Sequence, residues 1–235
     1  MVDVLSFTTA VTVATGRGMA VLPSRLSGPA AAALAVANGA ELAVCRRDMS
    51  SERPWSLSPT ALASALFTPR LVLPSPNGSA IAAVAVGLVI AACLHNAAAA
   101  ATWALSHGYG TSERPIAVIA SGERWPDGSL RPALEDGLGA GAVLHHLRTA
   151  GCRLSAEAAV MATMYEAAVD VGNAVRVSAS ALELTAIGFS SDVEVAVELE
   201  VDPHVPVLAE GAFTSVRPDY ALVARTAGPA CSELR

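Results

Sequence analysis

Short apolar runs alternate with alanine-rich stretches of helix length through the first 150 residues of the chain. The apolar runs predict six strands, at residues 2–5, 19–23, 41–45, 70–73, 87–93 and 116–120. Strands that alternate with helices are typical of βα units. The pattern therefore predicts the α/β class, with a mainly parallel sheet.

Several of the helical stretches carry start and stop signals. Ser58 and Pro59 open one helix, and Asn38-Gly39 closes another with a pair suited to a left-handed turn. Pro132 and Gly151 bound a segment that is rich in glycine, and we interpret residues 131–151 as one long helix with a glycine-lined packing face.

From residue 155 onward the pattern becomes predominantly helical, with one extended stretch after His204 and a tail from Arg225 that we predict to be weakly ordered. We divide the chain into an α/β sheet domain, residues 1–151, which carries most of the site, and a mainly helical part, residues 152–235, which packs on or caps it. One continuous domain is the alternative.

Membrane and secretory signals are weak. The longest apolar run, residues 80–94, has 15 residues, whereas a membrane-spanning helix needs roughly 18 or more. The opening residues lack a secretory signal pattern, so we expect a cytoplasmic protein without a membrane span. The four cysteines are scattered without C-x-x-C spacing, which argues against a disulfide framework and a thiolate metal site.

Charge and composition narrow the class of ligand. The net charge of −6, without a basic cluster, argues against nucleic acid as a partner. The chain contains no lysine and no glutamine, which excludes Schiff-base chemistry and a Walker A phosphate loop. A site for phosphate would therefore need metal ions, backbone amides, asparagine or arginine. A small molecule is the expected partner, and a homo-oligomer is left open.

Short polar residues follow four of the predicted strands, where ligands bind in open α/β sheets. They are Asp3, Ser6, Thr8 and Thr9 after the first strand, Ser75, Asn77 and Gly78 after the fourth, Asn96 after the fifth, and Ser121, Gly122 and Glu123 after the last. Together they are expected to surround one crevice. The acids Asp3 and Glu123, with the pair Glu135-Asp136, suit a hard divalent cation, which takes oxygen ligands.

Each of these residues also has a purely structural alternative. Asn77-Gly78 is an ordinary turn dipeptide, and Asn96 can cap the helix that follows it. Glu123 can be a solvated loop acid, and the Glu135-Asp136 pair can lie exposed on a helix. We interpret His145-His146 as a pair on a helix surface without ligand geometry.

Four segments occur in the order and approximate spacing of the 2-phosphosulfolactate phosphatase family: DVLSFTTAVTVATGRG, PSPNGSAIA, ACLHNAAAAA and SGERWPDGSLRPALEDGLGAGAVLHHL. The later segment SASALELTAIGFSSDVEVAVELEVDPHVPVL resembles the closing segment of that family. The resemblance covers nearly the whole chain. It implies a magnesium-dependent acid phosphatase that hydrolyses the phosphate ester of a small sulfonated hydroxy acid, on an α/β fold of its own.

The resemblance also implies a set of site residues. The positions that match recurring polar positions of the family are Asp3, Asn77, Asn96, Glu123, Glu135 and Asp136. We infer catalytic roles for Asp3, Glu135 and Asp136, and Mg²⁺ ligation by Asp3, Glu123 and Asp136. The inferred substrate-binding residues are Ser6, Thr8, Thr9, Ser75, Asn77, Gly78, Asn96, Ser121 and Gly122. Whether a carboxylate attacks phosphorus or activates water stays open.

The chain departs from the family pattern at two positions. Ser6 stands where the family usually has arginine, and Pro76 stands where a small polar residue is more common. Losing an arginine removes a rigid fork for phosphate or sulfonate. A non-catalytic protein that binds small anions on the same fold is therefore the alternative, and another small-molecule enzyme is a third hypothesis.

The first predicted strand is unusually close to the start of the sequence. Only Met1 and Val2 precede Asp3, whereas strands typically have about five or six residues. We therefore expect the natural protein to carry an upstream segment that completes this strand.

Overall fold

The computed structural model describes residues 1–218, so the tail from Arg225 lies outside the described residues. The helices in this range are α1 Phe7–Gly16, α2 Gly28–Ala37, α3 Pro59–Ser64, α4 Gly78–Ala82, α5 Ala97–Ser106, α6 Leu134–Thr149, α7 Ala156–Ala167, α8 Val171–Arg176, α9 Ala179–Ala186 and α10 Ser190–Ala196, with a 3-10 helix at Arg46–Asp48. The strands are β1 Ala20–Ser24, β2 Glu41–Leu42, β3 Arg70–Pro74, β4 Val89–Ile90, β5 Glu123–Arg124, β6 Leu130–Arg131, β7 Val205–Ala209 and β8 Ala212–Val216.

Six of these strands form a central sheet in the order β2-β3-β1-β8-β7-β4. Strands β1 and β2 both pair parallel with β3. Every antiparallel pairing of this sheet involves the C-terminal hairpin of β7 and β8, which is inserted between β1 and β4. The structure confirms the predicted α/β class and the parallel pairing of the N-terminal strands.

Four of the predicted strands are shorter in the structure than the sequence predicts. Residues 2–5 and 116–120 contribute only single-residue bridges, because Val2 pairs in parallel with Ala92 and with Ala120 and the chain then turns. The turn after Val2 is stabilised locally: Asp3 Oδ1 accepts a hydrogen bond from the Phe7 backbone N–H at 3.1 Å. The predicted strands 41–45 and 87–93 are likewise shorter, at β2 and β4. The expected upstream segment stays a prediction.

The predicted helix 131–151 begins later than expected, at Leu134. Leu130 and Arg131 instead form strand β6, which pairs antiparallel with β5 in a small separate hairpin. Within α6 the glycine-lined packing face is confirmed. A Cβ atom on Gly139 would lie 2.7 Å from Val4 Cγ2, and one on Gly141 would lie 2.5 Å from the Met161 carbonyl oxygen. These glycines let α6 pack closely between the N-terminal turn and α7.

The C-terminal part shares the sheet of the N-terminal part through β7 and β8. The aromatic rings of Phe7 in α1 and Phe213 in β8 pack edge to face, with centroids 6.1 Å apart. The division at residue 151 stays a prediction. Within residues 1–218 no helix is both long and apolar enough to cross a membrane. His145 and His146 are partly exposed and contact Glu166 and Glu200 respectively.

Candidate functional site

The carboxylate of Asp3 is buried at the turn between Val2 and α1. Its Oδ1 accepts from the Phe7 backbone N–H, and its Oδ2 accepts from the Gly78 backbone N–H at 2.8 Å. The Thr8 hydroxyl adds a further bond to the Asp3 carbonyl oxygen at 2.8 Å. Asp3 therefore joins the N-terminal turn to the first residue of α4, and its position is set on both sides.

Only glycine fits at position 78, because Asp3 and Phe7 lie so close to its Cα atom. A Cβ atom at this position would lie 2.5 Å from Phe7 Cδ1 and 2.6 Å from Asp3 Oδ2. The preceding residue, Asn77, donates from Nδ2 to Glu123 Oε2 at 2.8 Å. The Asn77-Gly78 pair is therefore more than a turn, because it positions one acid and leaves room for another.

Asp136, in the first turn of α6, is hydrogen-bonded to both the N-terminal turn and the loop around Gly122. Its Oδ1 accepts from the Val4 backbone N–H at 2.7 Å, and its Oδ2 accepts from the Gly122 backbone N–H at 2.8 Å. Gly122 has a φ of +67°, a conformation that favours glycine. Asp136 thus holds the segment around Ser121 beside the N-terminal turn, where Ser121 N–H donates to the Val2 carbonyl oxygen at 2.8 Å.

Two buried oxygen atoms beside these loops lack a partner. Glu135 is 1% exposed, and neither its Oε2 nor the Ser121 Oγ makes a hydrogen bond within residues 1–218. A buried polar atom without a partner costs about 1–3 kcal/mol. Such atoms are typical of positions that a ligand, a water molecule or a cation completes.

Burial perturbs the acids of this cluster in the same direction. It raises the pKa of Asp3, although the backbone N–H groups of Phe7 and Gly78 oppose the shift. Burial raises the pKa of Asp136 well above its usual range, and the nearby charge of Asp3 raises it further. Burial also raises the pKa of Glu123. A bound cation would relieve both causes of these shifts, because it replaces lost solvation and offsets repulsion.

A pocket of about 340 Å³ opens beside Asp3. It brings together five of the predicted site residues, which are Asp3, Ser6, Ser75, Asn77 and Glu123. Its other lining residues are Leu5, Arg46, Leu57, Pro76, Ser180, Glu183, Leu184 and Ile187. The α9 residues among them show that the C-terminal part forms one wall of the pocket.

The remaining predicted residues do not line this pocket. Glu135, Asp136, Ser121, Gly122 and Gly78 lie in the loops and helix ends that support it, as described above. Thr8 and Thr9 bond backbone carbonyl oxygens of the N-terminal turn.

Asn96 is also engaged elsewhere. Its Oδ1 accepts from the Cys93 N–H at 2.9 Å and its Nδ2 donates to the His204 carbonyl oxygen at 3.0 Å. Its side chain makes no capping bond to α5, although it precedes that helix. Asn96 therefore connects the turn before α5 to the segment before β7, and it is not part of the crevice in which the sequence places it.

Arg46 was not predicted from the sequence as a site residue, and its side chain is hydrogen-bonded to Ser6. Arg46 Nη2 donates to the Ser6 hydroxyl and to the Leu57 carbonyl oxygen, and Nε donates to Asp192 Oδ2 at 2.9 Å. Asp192 in turn accepts from the Ser58 hydroxyl at 2.5 Å. The sequence did contain a signal for this residue. Arg46 directly follows the predicted strand 41–45, and ligands bind beyond the carboxyl ends of strands in open α/β sheets.

A second arginine lies beside the pocket wall. Arg131 donates to both carboxylate oxygens of Glu183, at 3.0 and 2.8 Å. This bond links β6 to α9, and it offsets the charge of one acid that lines the pocket. No local pattern predicts the pairing, because the two residues are 52 positions apart.

The donor set fits magnesium in one particular mode. Within residues 1–218 no three Asp, Glu, His or Cys side chains are arranged to hold a metal ion by themselves. Mg²⁺ commonly uses one or two carboxylates, with substrate phosphate and water as the other ligands. The carboxylates beside the pocket and the unpartnered oxygen of Glu135 fit that mode.

The fold and the pocket define a mixed α/β protein in which buried Asp3, half-buried Glu123 and the ion-paired Arg46 line one small pocket. The family model described as 2-phosphosulpholactate phosphatase matches residues 1–211, and the chain belongs to this family. The family name implies a phosphatase, that is, a phosphoric monoester hydrolase. A comparison with curated proteins finds no match.

Proposed function

We propose that this protein hydrolyses a small anionic phosphate ester, with 2-phosphosulfolactate as the first candidate substrate. The products would be sulfolactate and inorganic phosphate. The observation that carries the proposal is that Asp3, Asn77 and Glu123, from three separate family segments, line one pocket. Its volume of about 340 Å³ suits a small molecule.

Charge supports a divalent cation in this reaction. Asp3 and Glu123 line the pocket, and the carboxylate of Glu135 is near enough to raise the pKa of Asp3, Glu123 and Asp136. A phosphate ester would add negative charge to this cluster. We therefore propose that Mg²⁺ is held by one or two carboxylates, drawn from Asp3, Glu123 and Asp136 with Glu135 Oε2 as a further candidate, and that substrate phosphate and water complete its ligands. The ion would offset the charge of the phosphate and of the leaving oxygen.

Within this scheme Glu123 is the group that we assign to proton transfer. It lines the pocket, it is only half buried, and its carboxylate is oriented by the Asn77 amide. Its raised pKa brings it closer to the range in which a carboxyl group exchanges protons readily. Glu123 would take a proton from the water whose oxygen bonds to phosphorus, and it would pass that proton to the ester oxygen as the bond between phosphorus and that oxygen breaks.

Asp3 is the second group that we assign to the reaction. Each of its oxygen atoms accepts one backbone N–H, which sets its orientation and leaves lone pairs for a further ligand. Direct attack on phosphorus by Asp3 is the other route, and it would transiently place the phosphoryl group on the enzyme.

A second candidate function is binding of small anions without turnover. The observation that favours it is Ser6, which stands where the resembling family usually has arginine. The position of Arg46 on Ser6 weakens this alternative, because a guanidinium group is still present at the pocket.

The experiment that tests the proposal is phosphate release from a panel of phosphate esters with Mg²⁺ and with EDTA. The panel should contain 2-phosphosulfolactate, 2-phosphoglycolate and the neutral-tailed hydroxyethyl phosphate. We expect turnover with Mg²⁺ and its loss in EDTA. The Glu123→Gln variant should lose most activity, whereas Glu113→Gln, at an exposed position, is the matched control. Binding of these esters by calorimetry without any phosphate release would favour the second candidate.

A further inference from the structure

Arg46 is the one cationic side chain among the residues that line the described pocket. Its side chain is 14% exposed, and it is held by three different parts of the chain. Asp192 in α10 accepts from Nε, while the Leu57 carbonyl oxygen and the Ser6 hydroxyl accept from Nη2. The guanidinium group is therefore fixed before any ligand arrives.

The remaining donors of Arg46 are available to a ligand. No acceptor within residues 1–218 takes a hydrogen bond from Nη1. The Ser6 hydroxyl accepts from Nη2, so its own hydrogen is free to be donated onward. Ser6 and Arg46 both line the pocket, and together they offer a donor pair for one anionic oxygen group.

Charge divides the pocket into two regions. Asp3 and Glu123 carry carboxylates, and Asn77 bonds to Glu123. A phosphate accompanied by a cation fits that acidic region. The Arg46 guanidinium is the complementary group for an anion that binds without a cation, and a carboxylate or sulfonate has this chemistry.

We infer that Arg46, together with the Ser6 hydroxyl, binds the carboxylate or sulfonate tail of the substrate, and thereby sets the preference for phosphate esters that carry a second anionic group. This inference rests on the proposed function. Asp192 and Ser58 are positioning residues, because they act through the orientation of Arg46.

The test compares two esters of equal length, 2-phosphoglycolate with a carboxylate tail and hydroxyethyl phosphate with a neutral tail. Removing Arg46 alone would leave buried Asp192 with an unpaired charge, so the test uses Arg46→Met combined with Asp192→Asn as well as Arg46→Met alone. The exposed neighbour Arg47 supplies the matched control, Arg47→Met. Unfolding temperatures check that each variant is folded.

We expect the ratio of kcat/KM for 2-phosphoglycolate to that for hydroxyethyl phosphate to fall about tenfold or more in the double variant, since a hydrogen-bonded charged group contributes on that scale. The loss should appear mainly in KM. Arg46→Lys keeps the charge without the planar fork, so it should restore the ratio in part, and Arg47→Met should leave it unchanged. An equal loss for both esters would overturn the inference.

Direct binding separates this inference from the proposed function. Calorimetry should measure sulfolactate, which carries a carboxylate and a sulfonate, against propane-1,2-diol, which carries neither, and neither compound requires turnover. We expect wild type to bind sulfolactate more tightly than the diol and the double variant to lose most of that difference. Turnover in wild type without this difference would overturn the role of Arg46 alone. The difference without any turnover of the ester panel would support Arg46 and overturn the phosphatase proposal.

Discussion

The Oδ2 atom of Asp3 accepts a hydrogen bond from the backbone N–H of Gly78 at 2.8 Å, although 75 positions separate the two residues. This single contact joins the N-terminal turn to the start of α4. It also places a carboxylate at the pocket through a backbone donor, which stays in place when side chains move. The atoms that stabilise the N-terminal turn are therefore also the atoms of a proposed catalytic carboxylate, and the first two predictions follow from that coupling.

Asp3→Asn should lower both turnover and stability. We expect kcat/KM with Mg²⁺ to fall about a hundredfold or more, because a carboxylate at the pocket is lost. An amide nitrogen would also face the N–H of Phe7 or Gly78, so the free energy of unfolding should fall by about 1–3 kcal/mol. Urea unfolding and phosphate release measure the two effects, with exposed Asp48→Asn as the control. Unchanged kinetics would remove Asp3 from the mechanism.

Gly78→Ala should destabilise the protein by about 1–3 kcal/mol or more, because the added Cβ atom would overlap Phe7 and the Asp3 carboxylate. Activity should fall with it, since the Asp3 carboxylate has to shift. Gly172→Ala is the matched control: its Cβ would meet mainly the far end of the Arg176 side chain at 3.2 Å, within a helix where alanine is favoured. Similar unfolding free energies for the two variants would contradict the packing argument.

In EDTA the protein should lose stability as the pH rises from about 4, the ordinary pKa of an aspartate, towards 6. The folded-state pKa values of Asp3 and Asp136 are raised, chiefly by burial, so the folded protein holds more protons than the unfolded chain in this window. The stability that protonation provides is therefore lost as the carboxylates ionise. In a chain that begins at Met1, burial lowers the pKa of the Met1 amino group to about 6, which opposes this trend at higher pH, so the window ends there.

Mg²⁺ should reduce this loss, because a cation stabilises the ionised carboxylates. Urea unfolding at pH 5 and pH 6, each with Mg²⁺ and with EDTA, gives the difference directly. The stabilisation by Mg²⁺ should be larger at pH 6 than at pH 5. Equal stabilisation at both values would show that the buried acids are not the groups that respond to the ion.

Ser6→Arg should lower kcat/KM for phosphate esters with an anionic tail. The sequence alone predicts the opposite, because the substitution restores the arginine of the resembling family. In the structure Arg46 already contacts Ser6, so a second guanidinium would repel the first and disturb its bond to Asp192. Combining Ser6→Arg with Arg46→Ser should recover activity on 2-phosphoglycolate. A single variant that exceeds wild type would show that both arginines fit.

Much of the fold could be predicted because its signals are local. The alternation of apolar runs with alanine-rich stretches predicted the α/β class, and Ser58 before Pro59 predicted the start of α3, where the Ser58 hydroxyl accepts from the Ala61 N–H at 3.1 Å. The strands next to the site were harder to predict. Residues 2–5 are as apolar as a strand, but the hydrogen bonds of Asp3 and Thr8 turn the chain there.

The part of the candidate site that lies at the ends of predicted strands could be predicted from the sequence. Asp3, Ser75, Asn77 and Glu123 are polar, they follow apolar runs, and they line one pocket. Their individual roles stay predictions. The sequence shows that residue 78 is a glycine, but only the structure shows why: Asp3 and Phe7 leave no room for a Cβ atom there.

Only the tertiary structure decided which distant residues complete this pocket. Arg46 is 40 positions from Ser6 and 146 from Asp192, and Arg131 is 52 from Glu183. The local pattern of apolar and polar residues determines helices and strands because their periods act over a few residues. Pairing between charged side chains so far apart depends on how α9 and α10 pack against the sheet domain, and no local period of the sequence records that packing.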